Sequence, residues 1–75
     1  MFLSEMEVGQ KKVVLEINDN ESGFKRLKQL GLTNGVVVEL VRIAPLGDPI
    51  EIKLRGFYLA LRIAQAKKIV VGDDE

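Results

Sequence analysis

Residues 44–62, which read APLGDPIEIKLRGFYLALR, decide the fold. Apolar and polar residues alternate on both sides of Gly56, and a Pro/Gly/Asp turn precedes the first run. Alternation with a period of two is typical of strands, and Gly, Asp and Pro are typical of tight turns. The stretch therefore predicts two short strands, with Tyr58 on the outward side of the second. Their inward rows are Ile50, Ile52, Leu54 and then Phe57, Leu59, Leu61.

The rest of the chain contains three more strand patterns. Two strands are predicted at residues 12–18 and 36–43, and a last one begins at Ile69. Leu3 and Met6 are predicted to form a short edge piece before the sheet begins. The inward rows of the first two strands are Val13, Leu15, Ile17 and then Val36, Val38, Leu40.

One segment has the period of a helix instead. Phe24, Leu27 and Leu30 recur every third residue, which places them on one side of a helix over residues 22–30. Gly31 follows the last periodic position and is suited to a left-handed C-terminal cap. The sequence thus predicts one amphipathic helix that ends at a glycine.

The predicted order is strand, turn at residues 18–20, helix, three strands, a helical turn over residues 63–67 and a final strand. Five short strands around one small core leave two edges, and closure into a barrel removes them. We predict a mainly β fold, an SH3-like barrel of five to six strands with one inserted α-helix and a short helical turn; an OB-like barrel is the alternative. A chain of 75 residues has room for one core, so residues 1–75 are expected to form a single domain.

Composition excludes several classes of function. Eleven basic and eleven acidic residues give a net charge of zero, whereas domains that follow a phosphate backbone usually carry a basic excess. The chain has no histidine and no cysteine, so it lacks the commonest general base, any thiolate and the usual zinc ligands. No apolar run approaches the roughly 20 residues of a membrane span. We expect a cytoplasmic binding protein that is not an enzyme, needs no cofactor and has no tight metal site.

Two surface features are candidates for partner binding. Lys25, Arg26 and Lys28 form a basic cluster, which is either a solvated helix side or a docking surface for an acidic patch. Tyr58 is either packed at a strand edge or an interface anchor. Asp48 is predicted to cap backbone amides of its own turn rather than to bind iron.

Three motifs together resemble a known family. Residues 24–36, FKRLKQLGLTNGV, contain an Arg-Leu pair, then Leu-Gly-Leu, then a glycine before a valine-rich strand. Residues 47–50 read GDPI, and residues 59–62 read LALR before the closing segment at residues 69–71. In this order and spacing the motifs resemble the FeoA family, the small cytoplasmic component of bacterial ferrous iron uptake, from residue 3 to residue 71.

The resemblance implies an SH3-like barrel that carries a helix. It also implies an accessory role, by protein–protein contact, beside FeoB, a membrane permease with a cytoplasmic GTPase domain. Similar barrels form the C-terminal domain of iron-dependent repressors of the diphtheria toxin repressor type. A regulatory or nucleic-acid-binding small barrel is therefore the alternative. The sequence is compatible with weak self-association into a homo-oligomer.

Overall fold

The helices and strands of the fold follow the predicted order, while residues 19 and 20 of the predicted turn lie outside the described residues. The computed structural model describes residues 1–18 and 22–73, and within those residues no helix is long and apolar enough to cross a bilayer. A 3₁₀ turn at Leu3–Glu5 stands where an edge piece was predicted. In the described residues the strands and helices are β1 (Lys11–Ile17), α1 (Ser22–Gln29), β2 (Val37–Ile43), β3 (Ile50–Leu54), β4 (Phe57–Leu61), α2 (Ile63–Ala66) and β5 (Ile69–Gly72).

The strands form one antiparallel sheet with the order β4-β3-β2-β1-β5. The predicted closure is wrong at the level of hydrogen bonds, because β4 and β5 lie at opposite ends of this order and do not pair. The N-terminus covers the outer edge of β5: Phe2 bridges Val70, and the N–H of Val71 donates to the Met1 carbonyl at 2.8 Å. The protein therefore protects one edge with its own first residues instead of closing the sheet.

The core lies against one side of this sheet. The inward rows predicted for β2 and β3 are confirmed, since all six residues are at most 9% exposed. Helix α1 contributes Phe24 and Leu27, the 3₁₀ turn contributes Leu3, and α2 contributes Ala66. These segments supply apolar side chains from outside the sheet, which a chain of this length needs for a sufficient core.

The inward row predicted for β1 is confirmed at Ile17, which packs against the core, and is wrong at Val13 and Leu15, whose place is taken by Val14. The strand contains a bulge between Val14 and Ile17. Val14 is opposite Val71, but the next pair is Glu16 with Val70, so Leu15 is an extra residue on β1. Val14, before the bulge, is 1% exposed and Leu15 is 53% exposed, while Ile17, after the bulge, is again on the core side. A strict period of two fails here because one inserted residue moves the following side chains to the other face.

The C-terminus of α1 confirms Gly31 as its cap and corrects the side predicted for Leu30. Gly31 has a φ of 107°, its N–H donates to the Lys28 carbonyl, and the Leu32 N–H donates to the Leu27 carbonyl. These two bonds define a Schellman motif. The change of chain direction at Gly31 buries Leu32 completely and leaves Leu30 39% exposed. Leu32 therefore takes the core position that was predicted for Leu30.

Strands β3 and β4 form a hairpin whose second strand is less buried than predicted. Arg55 and Gly56 have φ values of 49° and 85°, as a two-residue type I′ turn requires. Phe57 was predicted to be a core residue but is 37% exposed, while Leu61 at the other end of β4 is 3% exposed. Burial thus falls toward the turn along β4, which has a neighbouring described strand on only one side.

Candidate partner-binding surface

The basic cluster of α1 lies at the surface but does not form one face. Lys25, Arg26 and Lys28 are all exposed. Lys25 and Lys28 are three positions apart and share one flank of the helix, whereas Arg26 shares the other flank with Leu30. Arg26 and Lys28 also lie in the last turn, where positive charge is favourable to the helix dipole. The three charges therefore surround the exposed side of the C-terminal half of α1.

A fourth cation, Arg55, joins this region from the β3–β4 turn. A Cβ atom built on Gly31 would lie 3.0 Å from the Cδ atom of Arg55. The hairpin turn is thus in contact with the end of α1, and Arg55 is exposed there. The sequence alone does not point to Arg55, because its position beside Gly31 depends on a tertiary contact. We call Lys25, Arg26, Lys28 and Arg55 the basic surface.

Tyr58 follows the same turn and is 60% exposed on the outer side of β4. It is opposite Lys53 in the β3–β4 ladder, and the Nζ atom of Lys53 is 5.8 Å from the centre of its ring. This distance is within the range of a cation–π contact. An exposed tyrosine beside a cation is suited to contact with another protein. The binding roles of Tyr58 and the basic cluster stay predictions.

Asp48 connects its turn to α2. Its Oδ1 atom accepts a hydrogen bond of 3.1 Å from the N–H of Ile63 at the start of α2. The preceding N–H, that of Arg62, donates to Oε1 of Gln65 at 3.0 Å. Asp48 thus caps amides as predicted, but in a segment distant in sequence rather than in its own turn.

A shallow hollow lies on the outer side of the sheet near this turn. Its volume is about 170 Å³, and Ala60 is one of the small residues beside it. Its lining residues are Arg42, Ala44, Pro49, Ile50, Glu51 and Ala60.

The described carboxylates show no arrangement for binding a metal. Within residues 1–18 and 22–73, no three side chains among His, Cys, Asp and Glu lie close enough together to hold an ion. Asp73 instead forms an ion pair with Lys12. The hydrogen bond and the positive charge from Lys12 lower the pKa of Asp73 below its usual value. Residues 74 and 75, the rest of the acidic C-terminus, lie outside the described residues.

Comparison with known proteins shows which families share this sequence and fold. A family model for the FeoA domain matches residues 1–72. The chain is 31% identical over 71 residues to an Fe(2+) transport protein A/Fe(2+) transporter FeoB fusion protein of Porphyromonas gingivalis. That match covers 95% of this chain but only 8% of the fusion protein.

Two solved structures show the same fold along essentially the whole chain. The FeoA protein of Chlorobium tepidum has a TM-score of 0.92 and 37% identity, covering 100% of this chain and 74% of that one. The FeoA of Stenotrophomonas maltophilia, described as an SH3 domain protein complexed with zinc, has a TM-score of 0.80 and 33% identity. Its match covers 96% of this chain and 89% of that one. The predicted SH3-like fold is confirmed, as an open sheet.

Proposed function

This chain belongs to the FeoA family, which is associated with ferrous iron transport, and from that membership we propose that it is a cytoplasmic, non-enzymatic accessory protein that binds a FeoB-type permease. The observation that supports this most strongly is the fusion protein of Porphyromonas gingivalis, in which a FeoA segment and FeoB share one chain. Covalent linkage keeps two modules at a high effective concentration, as expected for modules that act together.

The exposed side chains of the protein are suited to contact with another protein rather than to catalysis. The absence of histidine and cysteine removes the commonest general base and the strongest side-chain nucleophile. The basic surface and Tyr58 together offer positive charge and an aromatic ring, a combination that is suited to an acidic patch on a partner. We propose that these residues form the contact with the GTPase-bearing cytoplasmic part of the permease.

The test is retention of the purified protein on immobilised FeoB-type constructs, both the cytoplasmic part and the full length, without nucleotide, with GDP and with a GTP analogue. We expect retention in at least one nucleotide state. Reversing the charge of Lys25, Arg26 and Lys28 to glutamate should weaken it about tenfold at low salt, since charge complementarity increases the association rate. Tyr58→Ala should weaken it about tenfold at any salt concentration, because it removes a desolvated contact.

Lys67→Glu provides the matched control, because Lys67 is an exposed lysine outside the basic surface. It should leave retention within about twofold of the unmodified protein. Absence of retention in every nucleotide state would refute the proposed function. An equal loss in the Lys67 and triple variants would refute only the assignment of the contact to the basic surface.

A further inference from the structure

Strand β4 has an edge with which no other described strand pairs. The hairpin turn makes Leu54 and Phe57 a hydrogen-bonded pair, so Phe57, Leu59 and Leu61 direct their backbone groups toward β3. The backbone N–H and C=O groups of Tyr58 and Ala60 then point away from the sheet. Outside the sheet ladders, no backbone hydrogen bond between described residues involves either residue. Uncovered edges of this kind can pair with another strand.

The side chains beside this edge complement a second copy of the same strand. On the outer face, Tyr58 projects beside Ala60, and the hollow of about 170 Å³ begins at Ala60. If two copies of β4 pair antiparallel about an axis through Leu59, Tyr58 of each copy is opposite Ala60 of the other. Each tyrosine ring then lies over the hollow of the other copy, so a large side chain meets a small one at both ends of the pair.

The charges along this outer row do not oppose the pairing. Within one copy, Ala60 is opposite Glu51, and Glu51 is opposite Arg42. On the other side of the new pair, Tyr58 is opposite Lys53, which is opposite Glu39. Because the neutral Ala60 and Tyr58 meet at the new pair, pairing brings no like charges into direct opposition.

The core side of β4 favours the same arrangement. Phe57 is 37% exposed and Leu59 is only partly buried, although both lie on the inward row. In the paired arrangement Leu59 lies beside Leu59 of the second copy, and Phe57 lies beside its Leu61. Pairing would thus reduce the exposure of apolar side chains that the open sheet leaves at its edge.

We propose that β4 is a self-association edge, at which two copies of this chain pair antiparallel about Leu59 with Tyr58 over the Ala60 hollow. Because a single strand pair buries little surface, the dimer is weak and is populated at high protein concentration. This inference does not depend on the proposed function. If both hold, self-association and permease binding compete for Tyr58.

Cysteine cross-linking tests the register directly, since the chain contains no cysteine of its own. In this arrangement the two Leu59 Cα atoms lie about 4.5 Å apart, as in other directly opposed pairs without hydrogen bonds. A disulfide spans about 4.4–6.8 Å between Cα atoms, so Leu59→Cys should form a covalent dimer under mild oxidation. The two Phe57 positions are four residues out of register, about 14 Å apart along the strands. Phe57→Cys should therefore form at least about tenfold less dimer.

Sedimentation of cysteine-free variants keeps the test valid if Leu59→Cys fails to fold. The average mass of the unmodified protein should rise with concentration up to about 1 mM. Tyr58→Ala and Ala60→Leu should each weaken association about tenfold, the first by removing the ring and the second by filling the hollow. Val8→Ala should change nothing, because Val8 is 59% exposed in the turn before β1, and β2 and β3 separate β1 from β4.

Two results would overturn the proposal. One is an unmodified protein that remains monomeric at the highest concentration and a Leu59→Cys variant that cross-links no better than Phe57→Cys. The other is association that Tyr58→Ala and Ala60→Leu leave unchanged, which would place the interface elsewhere. The measurements use this protein alone, so their failure is distinguishable from failure to bind a permease.

Discussion

At the scale of single residues, burial differs sharply between side chains of the same type. Ile52 is fully buried in the middle of β3, whereas Ile43 at the end of β2 is 43% exposed. Both are isoleucines on strands, so propensity does not distinguish them. The difference comes from position in the sheet, because Ile52 lies between two neighbouring strands and under the core segments.

Replacing these two isoleucines by alanine should reveal that difference in the free energy of unfolding. Ile52→Ala should cost about 2–5 kcal/mol, because it removes buried methylenes and leaves a cavity that the sheet cannot fill. Ile43→Ala is the matched control and should cost less than about 1.5 kcal/mol, since its side chain is already partly in water. Chemical denaturation of the two variants measures both values. Equal costs would show that Ile52 does not occupy the core position described.

At the scale of elements, the end of α1 controls how the helix joins the sheet. Gly31 adopts a φ of 107°, which turns the chain so that Leu32 enters the core. The same residue lies against the side chain of Arg55, so the hairpin turn and the helix end meet there. Gly31 therefore both caps α1 and contacts Arg55, a residue of the basic surface.

Gly31→Ala should destabilise the protein by about 1–2 kcal/mol, because an L-residue is strained at this φ. Gly23→Ala is the matched control. Gly23 has no positive φ, and a Cβ atom there would lie 3.6 Å from the nearest heavy atom, Nε2 of Gln65, an ordinary contact. Because alanine favours helix, Gly23→Ala should leave stability unchanged or raise it by up to about 1 kcal/mol. Thermal unfolding compares them, and a Gly31→Ala variant as stable as Gly23→Ala would contradict the Schellman cap.

At the scale of the whole molecule, the protein combines a dense apolar core with a surface poor in metal ligands. Every core residue is apolar within the described ranges. The chain contains no histidine or cysteine, so carboxylates are its main candidate ligands for iron. Isolated carboxylates favour harder ions and do not form a selective site for ferrous iron. The association with iron transport is therefore expected to act through a partner.

Anaerobic calorimetry with ferrous iron should accordingly show no stoichiometric site of micromolar or tighter affinity in the isolated protein. A chelator titrated under the same conditions is the control that the iron is free and reduced. A single saturable site at one ion per chain would contradict the expectation. It would require ligands contributed by residues outside the described ranges or by a second copy.

The sequence predicted much of the fold because much of the fold depends on neighbours along the chain. The inward rows of β2 and β3 follow from alternation, and the cap at Gly31 follows from the tolerance of glycine for positive φ. The bulge at Leu15 could not be predicted in this way, because it is defined by the unequal spacing of β1 against β5. The exposure of Phe57 depends likewise on whether a distant strand covers β4.

The sequence by itself determined the order of elements, most of the core, the lack of thiol and imidazole chemistry and the resemblance to FeoA. Only the tertiary structure decided that the sheet stays open, that Arg55 joins the basic residues of α1 and that β4 keeps a free edge. The physical reason is the same in each case. Local periodicity specifies which side of a strand is apolar, but edges, bulges and surface clusters depend on which distant segments meet.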